Sequence, residues 1–481
     1  MNDKLWGRPV DRRDDTRPNI VLILADDLGW RDLGCFGSTF YETPNIDRLA
    51  ESGISFVQSY AASPVCSPTR ASLLTGKYPA RVGVTNWIGG HAVGSLLDVP
   101  YFHCLPQQEY SLARALGDDG YQTWHVGKWH LGGGVTAPDR HGFEVSIGGT
   151  SRGSPASYFS PYGIGDLEDA PDGEFLTTRL TDSAVDLISD SNDKPFFLNF
   201  WHYAVHTPLQ APADLVEKYR RKAAGLGLDE NDVEIGESMP AWHSRPDRIQ
   251  RRTVQSHPTY AAMVETLDHS VGRIVEALRS VGKLDNTMII FTSDNGGLST
   301  AEGSPTCNAP LNEGKGWMAD GGLRVPTIVS WPGQIPAGVT SDLIFSTPDF
   351  YPTVLSAAGL QARPEQHVDG LDLWPMWRGK PGDRGPIFWH YPHYSNQGGT
   401  PGAAVRDGRW KLIRYFEDGH QELYDMDLDV SEQRDHVADQ PDVVDQLSQA
   451  LNDWLKNIGA QIPQPNPYAD AGPWPDARSQ G

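Results

Sequence analysis

Two short apolar runs, far apart in the sequence, each end in a pair of side chains that carry oxygen ligands. These side chains are Asp26, Asp27, Asp294 and Asn295. Oxygen-only sites suit Ca²⁺ or Mg²⁺, whereas zinc more often recruits cysteine or histidine. Either pair alone is ordinary turn chemistry after a strand, because Asp and Asn favour turns. The two pairs together favour a site for a hard cation.

Two further apolar runs are followed by basic side chains. These side chains are Lys128, His130, His202 and His206. In an open α/β sheet, ligands bind beyond the carboxyl ends of the strands. The four strand ends therefore predict one site that combines oxygen ligands with cationic partners. Taken alone, a histidine before Thr-Pro, such as His206, is more often structural, and Lys315 among glycines is compatible with a solvated loop lysine.

The run Cys-Ser-Pro-Thr-Arg at residues 66–70 precedes a helical pattern over residues 71–74, which ends near Gly76. Cys66 is therefore expected at a helix N-terminus, where free N–H groups and the helix dipole favour an anion. The alternative is a buried cysteine next to a proline that starts a helix.

The elements that must position these residues alternate between strands and helices. Residues 20–24, 196–200 and 288–291 are continuous apolar runs, typical of strands buried on both faces. Thr43 followed by Pro44 indicates a helix start, with Thr43 as the N-cap. Residues 260–280 form an amphipathic pattern with a helical period. This order predicts an α/β fold, with a large, mixed but mostly parallel sheet between layers of helices.

The pattern changes after about residue 380. Asp407-Gly408 between two short apolar segments is a hairpin signal, and residues 443–458 indicate a helix. We expect a smaller C-terminal α+β domain with an antiparallel sheet. The predicted domains are a catalytic domain, a C-terminal domain and an extended tail, at residues 17–380, 381–465 and 466–481. Residues 225–247 lack clear periodicity and are interpreted as a surface insertion.

Composition limits the class of partner. The chain has 481 residues and a formal net charge of −22, which disfavours nucleic acid because nucleic-acid-binding proteins carry basic surfaces. A small anionic substrate stays possible, since a pocket can be locally positive. If Cys66 takes part in chemistry, Cys35, Cys104 and Cys307 allow at most one disulfide, and we interpret them as small buried hydrophobes.

Nothing in the sequence predicts a membrane span. No stretch approaches the roughly 20 apolar residues that cross a bilayer. The first 17 residues are polar and charged, without an apolar signal core. The chain is therefore compatible with a cytoplasmic protein or with one whose signal peptide has been removed.

The run at residues 66–70 resembles the motif of the type I, formylglycine-dependent sulfatases of the alkaline phosphatase superfamily. That motif is Cys-x-Pro-x-Arg followed by Thr-Gly, which is present here as Thr75-Gly76. Further blocks follow in the family's order across nearly the whole chain. They are Pro-Asn-Ile-Val at 18–21, Val-Gly-Lys-Trp-His-Leu-Gly at 126–132, His-Thr-Pro at 206–208, Ser-Asp-Asn-Gly-Gly at 293–297, Gly-Lys-Gly at 314–316 and Gly-Leu-Arg-Val-Pro at 322–326.

The resemblance implies an alkaline phosphatase-like fold and a nucleophile made from Cys66, which a separate maturation enzyme oxidises to formylglycine. One hydroxyl of the aldehyde hydrate attacks the sulfate sulfur to give a covalent sulfoenzyme. The other hydroxyl then loses its proton, and the carbon–oxygen bond breaks to release sulfate. One Ca²⁺ is implied, which contacts the formylglycine oxygen and a sulfate oxygen. Its protein ligands are Asp26, Asp27, Asp294 and Asn295.

The same resemblance implies roles for the remaining residues of the motifs. Asp294 also accepts the proton of the nucleophilic hydroxyl. Arg70 and Lys128 orient the hydrate, and Lys128 and Lys315 bind sulfate oxygens. His206, with Lys315, is the general acid for the leaving alcohol. His130 is the base for breakdown of the hemiacetal sulfate, a role that suits an imidazole because its unperturbed pKa lies near neutrality.

Substrate specificity depends on polar and aromatic residues of predicted loops, which are expected around the pocket mouth. These residues are Trp87, His91, Arg152, Trp201, His202, His390, Tyr391, His393 and Tyr394. They are equally compatible with surface or interdomain packing. The chain looks most like bacterial polysaccharide sulfatases that act on galactose or N-acetylgalactosamine glycans, which implies a periplasmic or secreted protein.

Two other functions stay open from the sequence. One is a phosphoester or phosphonate-ester hydrolase of the same superfamily. The other is a non-catalytic protein that binds sulfated glycans, which is disfavoured because no candidate catalytic position is missing. The expected partners are a sulfated small molecule or glycan and the maturation enzyme, with no nucleic acid and no membrane span.

Overall fold

The computed structural model describes residues 17–229 and 231–469. The N-terminal residues 1–16 and most of the predicted tail, residues 470–481, lie outside the described residues. The strands are β1 (Asn19–Ala25), β2 (Ile54–Tyr60), β3 (Gln122–Gly127), β4 (Val145–Ile147), β5 (Phe196–Trp201), β6 (Val233–Ser238), β7 (Arg248–Arg252), β8 (Thr287–Ser293), β9 (Arg324–Ser330), β10 (Val339–Ser341), β11 (Phe345–Ser346), β12 (Ile387–Tyr391), β13 (Gly402–Asp407), β14 (Trp410–Tyr415) and β15 (Gln421–Asp425). The α-helices are α1 (Pro44–Glu51), α2 (Cys66–Thr75), α3 (Pro79–Val82), α4 (Leu112–Asp118), α5 (Leu176–Ser189), α6 (Ala213–Leu226), α7 (Pro258–Ser280), α8 (Asp320–Leu323), α9 (Phe350–Ala357), α10 (Trp374–Trp377) and α11 (Pro441–Asn457).

The large sheet has the strand order β10-β2-β9-β8-β1-β5-β3-β4, and β11 pairs with β2 at its edge. β9 runs antiparallel to both β2 and β8, and the other pairs in this sheet are parallel. The predicted α/β fold with a large, mostly parallel sheet is confirmed.

The central strand β1 is buried along its whole length because helices cover both faces of the sheet. Val21 and Ile23 pack in a core with α1, α5, α6 and α7. Ile20, Leu22 and Leu24 pack in a second core with α2, α4 and α9. Alternate side chains of a strand point to opposite faces, so a continuous apolar run is what a three-layer arrangement requires.

Two helices begin close to where the sequence predicts. α1 starts at Pro44, but the side chain of Thr43 makes no capping hydrogen bond to the helix; its hydroxyl donates to Asp47 instead (2.9 Å). α7 is 23 residues long and starts at Pro258, two residues before the predicted start. Among the described residues, no helix combines the length and apolarity needed to cross a bilayer.

The segment interpreted as a surface insertion contains regular structure that its lack of periodicity hid. β6 pairs with β7 as an antiparallel hairpin, with Val233 opposite Arg252. β6 is largely exposed, in keeping with a surface position. Neither of its faces is buried against a core, so it has no alternating pattern to detect.

The C-terminal region forms a four-stranded antiparallel sheet in the order β12-β13-β14-β15. The predicted hairpin joins β13 to β14, but its turn is Gly408-Arg409, because Asp407 still pairs with Trp410 at the end of β13. Gly408 has a positive φ of 53°, which glycine adopts readily. α11 covers one face of this sheet through Leu447, Leu451 and Leu455. The predicted domain boundaries stay predictions.

A cluster of charged side chains is buried between the large and small sheets, which we call the inter-sheet ion cluster. It is built from Asp320, Arg406, Lys411 and Glu432 around the hydroxyl of Tyr60. Lys411 donates to both Asp320 and Glu432, each at 2.8 Å. Glu432 in turn accepts from the backbone N–H of Asp320 at 2.8 Å. Every charged group in this cluster therefore has a partner.

All four cysteines are free thiols. Cys66 and Cys307 are buried, as expected of small hydrophobes, and Cys104 is half-buried. The interpretation of Cys35 as a buried residue is wrong, because it lies exposed on the surface.

Candidate active site

The carboxyl ends of β1 and β8 bring four oxygen-bearing side chains together. Ala25 lies beside Ser293 in the parallel pair, so the residues that follow them emerge side by side. The backbone N–H of Asp27 donates to Asp294 Oδ1 (3.2 Å). Asn295 Nδ2 donates to Asp27 Oδ1 (2.8 Å). Asp26, Asp27, Asp294 and Asn295 are each at most 1% exposed.

Several features of this oxygen cluster fit a hard cation. Asp26 Oδ1 and Asn295 Oδ1 are buried without a hydrogen-bond partner, which is costly unless something else binds them. Ligand atoms of Asp26, Asp27 and His206 lie within 4.8 Å of one another. Asp27 has a φ of 62°, a strained value for a residue with a side chain and one that clusters at functional sites.

Three cations surround the carboxylates. Arg70 Nε donates to Asp294 Oδ2 (2.8 Å), and a terminal nitrogen of the same guanidinium lies 2.7 Å from that oxygen as an ion pair. Lys128 Nζ donates to Asp26 Oδ2 (2.6 Å), and Lys315 Nζ donates to Asp27 Oδ2 (2.8 Å). Three carboxylates face three cations, so a divalent cation added here leaves a net positive charge for an anion.

Burial and charge act against each other on the two neighbouring aspartates. Burial alone raises the pKa of Asp27, but Lys315 and His206 outweigh it and bring the pKa below its ordinary value. Burial dominates at Asp26 and holds its pKa well above the ordinary value, although Lys128 opposes this. A divalent cation between these carboxylates favours the charged form of both.

Cys66 is the first residue of α2, as the sequence predicts, and all ten residues of this helix are buried. Burial raises the pKa of its thiol. A buried, protonated thiol is a poor nucleophile at neutral pH. Its Sγ lies 3.3 Å from His130 Nδ1.

The environment of His130 indicates which of its nitrogens carries a proton. Nε2 lies 3.1 Å from the carbonyl oxygen of Ile88, so Nε2–H donates there and Nδ1 offers its lone pair to Cys66. Burial, reinforced by Lys128, lowers the pKa of His130 well below its ordinary value. His130 is therefore a neutral acceptor beside the side chain of residue 66.

His206 has a comparable arrangement on the other side of the oxygen cluster. Its Nδ1 lies 2.8 Å from the carbonyl oxygen of Thr207, which assigns the N–H to Nδ1. Its Nε2 lies 3.6 Å from Asp27 Oδ2. Burial, and then Lys315, lower the pKa of His206 to about 3. Burial alone lowers the pKa of Lys315, but Asp27 outweighs it and raises the pKa, so in the free site the proton resides on Lys315.

An open cavity of about 600 Å³ leads to these residues. Cys66, His130, His206 and Lys315 contribute to its lining, with Trp87 and Arg152 from two loops. The protonated Lys315, together with the N-terminus of α2, makes this part of the cavity attractive to an anion.

The structure brings together every residue of the predicted catalytic and metal sets. Of the additional residues predicted at the pocket mouth, only Trp87 and Arg152 line the cavity. His91 is exposed and bonds Asp98 at 2.7 Å, outside the cavity lining. His393 is 0% exposed because it is held between Thr85 (2.9 Å) and Asp98 (2.6 Å).

His202 and His390 also lie away from the cavity. His202 is 1% exposed, with its ring 4.1 Å from that of Phe200. His390 is 4% exposed and lies 3.1 Å from the carbonyl oxygen of Gln461. The aromatic residues Trp201, Tyr391 and Tyr394 are buried as packing residues too.

Sequence reasoning missed part of the cavity wall. Glu302, Asn396 and Gln397 line it, together with residue 151 and residues 153–156. Asn396 and Gln397 follow the His-Tyr-Pro-His-Tyr run at 390–394 after one residue, and that polar, aromatic run was the available signal. Glu302 stands in a loop without any pattern of its own.

The fold and this site are those of an enzyme that binds an anion at the carboxyl ends of strands in a mostly parallel sheet. The chain belongs to the sulfatase family: the family model described as Sulfatase matches residues 18–360. A second model, described as N-sulphoglucosamine sulphohydrolase, C-terminal, matches residues 313–461. The protein is thus a sulfuric ester hydrolase.

Several known proteins are similar over most of the chain. The N-acetylgalactosamine-6-sulfatase of Sus scrofa is 36% identical over 401 residues, which cover 78% of this chain and 68% of that protein. A sulfatase of Formosa agariphila is 32% identical over 525 residues, which cover 91% of this chain and 89% of that protein. The solved structure of Ps i-CgsB in complex with k-i-k-neocarrahexaose is 29% identical, with a TM-score of 0.73 over 91% of this chain and 93% of that chain.

Proposed function

We propose that this sulfatase hydrolyses a sulfate ester on a carbohydrate, with Cys66 in its formylglycine form and with one Ca²⁺. The observation that carries the proposal is the position of Cys66. It begins a buried helix, lies 3.3 Å from the neutral His130, and shares the cavity lining with Lys315. The galactose or N-acetylgalactosamine type of sugar is favoured because a relative at 36% identity carries N-acetylgalactosamine-6-sulfatase as its name.

The oxygen cluster fits the proposed Ca²⁺. Asp26, Asp27, Asp294 and Asn295 would hold it, since two of their oxygens lack a hydrogen-bond partner and hard cations prefer oxygen ligands. When bound, Ca²⁺ supplies positive charge for the sulfate oxygens and lowers the pKa of a nucleophilic hydroxyl. Formylglycine supplies, as its hydrate, the two hydroxyls that the unmodified thiol lacks.

Arg70 and Lys128 hold the carboxylates in place and orient the side chain at position 66. Arg70 also donates to the carbonyl oxygen of Lys128 at 3.1 Å, which ties the two cations into one unit. Arg70 lies over the ring of Trp201 (5.1 Å), which closes its other face to water. This packing leaves the pair little freedom to move as charge develops.

Different side chains carry out the proton transfer to the leaving alcohol and the proton transfer that accompanies release of sulfate. Nδ1 of His130 accepts the proton of the hydroxyl at position 66 when sulfate leaves, because its Nε2–H is committed to Ile88. At the leaving alcohol, Lys315 carries the proton in the free site and also binds a sulfate oxygen. Nε2 of His206 carries no proton in the free site, so it first takes the proton from Lys315 and then donates it to the alcohol oxygen.

A periplasmic or secreted location is proposed from the family, together with a maturation enzyme that acts on Cys66. The test has two parts. Mass spectrometry of the peptide that contains Cys66 should find the mass decrease of thiol-to-aldehyde conversion in active protein. That sample should cleave nitrophenyl sulfate and monosulfated galactose or N-acetylgalactosamine, and Cys66→Ala should be inactive while it still binds the sugar.

Two outcomes contradict the proposal. Much faster cleavage of nitrophenyl phosphate than of nitrophenyl sulfate by matured protein favours the phosphoester hydrolase. Full activity of Cys66→Ala refutes the nucleophile.

A further inference from the structure

The cavity wall carries one acidic side chain that the reaction does not use. Glu302 lines the cavity that also contains Lys315, and it contributes to the raised pKa of that lysine. A carboxylate weakens attraction for any anion that enters. The role of Glu302 must therefore involve the part of the substrate other than the sulfate group.

Glu302 is held in position rather than free on a loop. Its backbone has a positive φ of 55°, which residues other than glycine adopt only when the surroundings impose it. Gln397 Nε2 donates to Glu302 Oε1 at 2.6 Å. The side chain of Glu302 is nevertheless exposed, so its other oxygen is available to a ligand.

Gln397 is itself fixed by its neighbours and is 3% exposed. Ser395 Oγ donates to Gln397 Oε1 at 2.6 Å, which orients the amide so that its N–H group points to Glu302. The carbonyl oxygen of Gln397 accepts from Thr300 Oγ1 (2.8 Å) and Trp317 Nε1 (2.9 Å). The carboxylate of Glu302 is thus preorganised by a chain of hydrogen bonds that reaches into the core.

We propose that Glu302 is a specificity-determining residue that accepts hydrogen bonds from free hydroxyls of the sugar that bears the scissile sulfate. The inference rests on the proposed carbohydrate sulfatase function. A preorganised acceptor binds a hydroxyl strongly, and the same charge repels a second sulfate or a carboxylate at that position. The site therefore selects a sugar that carries free hydroxyls, and no second sulfate, on the side that faces Glu302.

The half-exposed Trp87 in the same cavity lining supports a sugar as the occupant. An indole ring offers an apolar face to the C–H groups of a sugar, while Glu302 and the neighbouring Asn396 offer polar groups to its hydroxyls. A few placed polar groups next to an aromatic surface are what a small-molecule pocket uses to fix orientation.

The test compares matured wild type with Glu302→Gln, which keeps the shape and removes the charge. Values of kcat/KM are measured for monosulfated N-acetylgalactosamine, the disulfated sugar and nitrophenyl sulfate, which has no sugar hydroxyls. We expect Glu302→Gln to lose at least about tenfold more kcat/KM on the monosulfated sugar than on nitrophenyl sulfate. We also expect the disulfated-to-monosulfated ratio to rise by at least about tenfold.

Two further variants complete the design. Gln397→Leu removes the hydrogen bond to Glu302 and should shift the same ratios in the same direction by a smaller factor. Glu144→Gln is the matched control, because Glu144 is exposed and lies outside the cavity lining, and it should leave every ratio unchanged. Thermal melting of each variant checks the fold.

The outcomes separate this inference from the proposed function. Equal losses on all three substrates overturn the inference, because Glu302 then acts through Lys315 and not through the sugar. Unchanged ratios overturn it as well. If matured wild type cleaves no sulfate ester at all, the proposed function fails and the inference falls with it.

Discussion

The chain buries two clusters of charged side chains, and they differ in how completely their charges are paired. In the cluster at the ends of β1 and β8, Asp26 Oδ1 and Asn295 Oδ1 have no hydrogen-bond partner, and a cavity of about 600 Å³ reaches the surrounding cations. In the inter-sheet ion cluster, Lys411, Asp320 and Glu432 satisfy one another, and none of them lines the cavity.

Burial of charge is therefore a poor indicator of function when taken alone. Both clusters shift pKa values: burial and Lys411 act in opposition on Asp320, whose pKa is lowered, and burial raises the pKa of Glu432 to about 7. What marks the first cluster as a site is the pair of unused ligand atoms together with access from solvent. The second cluster joins the small sheet to the large one through buried ion pairs and hydrogen bonds.

The largest expected effect is a loss of activity when the cluster at the ends of β1 and β8 is changed. Asp294→Asn keeps the size and an acceptor for Arg70 but removes a carboxylate from the oxygen cluster. Activity on nitrophenyl sulfate should fall by at least about 1,000-fold, or about 4 kcal/mol in transition-state stabilisation. Steady-state kinetics on matured protein checks this, and activity within tenfold of wild type contradicts the proposed metal site.

A substitution in the inter-sheet ion cluster should lower the stability of the protein and not its activity. Lys411→Met leaves Asp320 and Glu432 without their shared cation, and removing one partner of a buried ion pair costs about 3–5 kcal/mol. Urea unfolding measures the loss, while kcat of the folded protein should stay within about threefold of wild type. A loss of kcat as large as that of Asp294→Asn would mean that the two clusters are not separate in function.

Calcium should stabilise the folded protein only by binding to the oxygen cluster at the ends of β1 and β8. At a free Ca²⁺ concentration 100 times its Kd, the free energy of unfolding should rise by about 2.7 kcal/mol, because the cation binds the folded state alone. Removal by a chelator should reverse the gain. Lys411→Met should keep this response and Asp294→Asn should lose it; a response that survives in Asp294→Asn argues against the proposed ligands.

The smallest effect comes from a buried group that belongs to neither cluster. Burial lowers the pKa of His390 to about 3, below the value of about 6.5 in an unfolded chain. The neutral form therefore contributes stability that is complete above pH 6.5 and is lost as pH falls towards 3. His390→Gln removes the titration and keeps a donor for Gln461.

Between pH 6 and pH 5, wild type should lose about 1 kcal/mol more unfolding free energy than His390→Gln. Denaturant titrations at both pH values measure the difference. Parallel losses in the two proteins would show that His390 is already solvated in the folded state.

Much of the fold and the centre of the site follow from the sequence because both depend on short-range patterns. A strand buried on both faces must be continuously apolar, so β1 and β8 are visible as runs. Residues that follow parallel strands must meet at one edge of the sheet, so the positions of Asp26 and Asp294 in the sequence are enough to predict that they lie together.

The cavity wall does not follow from the sequence in the same way. Glu302 and Gln397 are 95 residues apart and meet only through loop conformations and hydrogen bonds that have no period. His202 and His390 mislead for the opposite reason. His202 follows a predicted strand and His390 was expected in a loop at the pocket mouth, but packing has turned both into the interior.

The burial of α2 sets an order of events in time. Cys66 is 2% exposed, and the helix it begins is enclosed along its full length. A small substrate can reach residue 66 through the cavity, but another protein cannot surround it there. Under the proposed formylglycine chemistry, the enzyme that oxidises Cys66 must therefore act on the chain before α2 has packed. The rate of folding, relative to the rate of maturation, would then decide what fraction of the molecules becomes active.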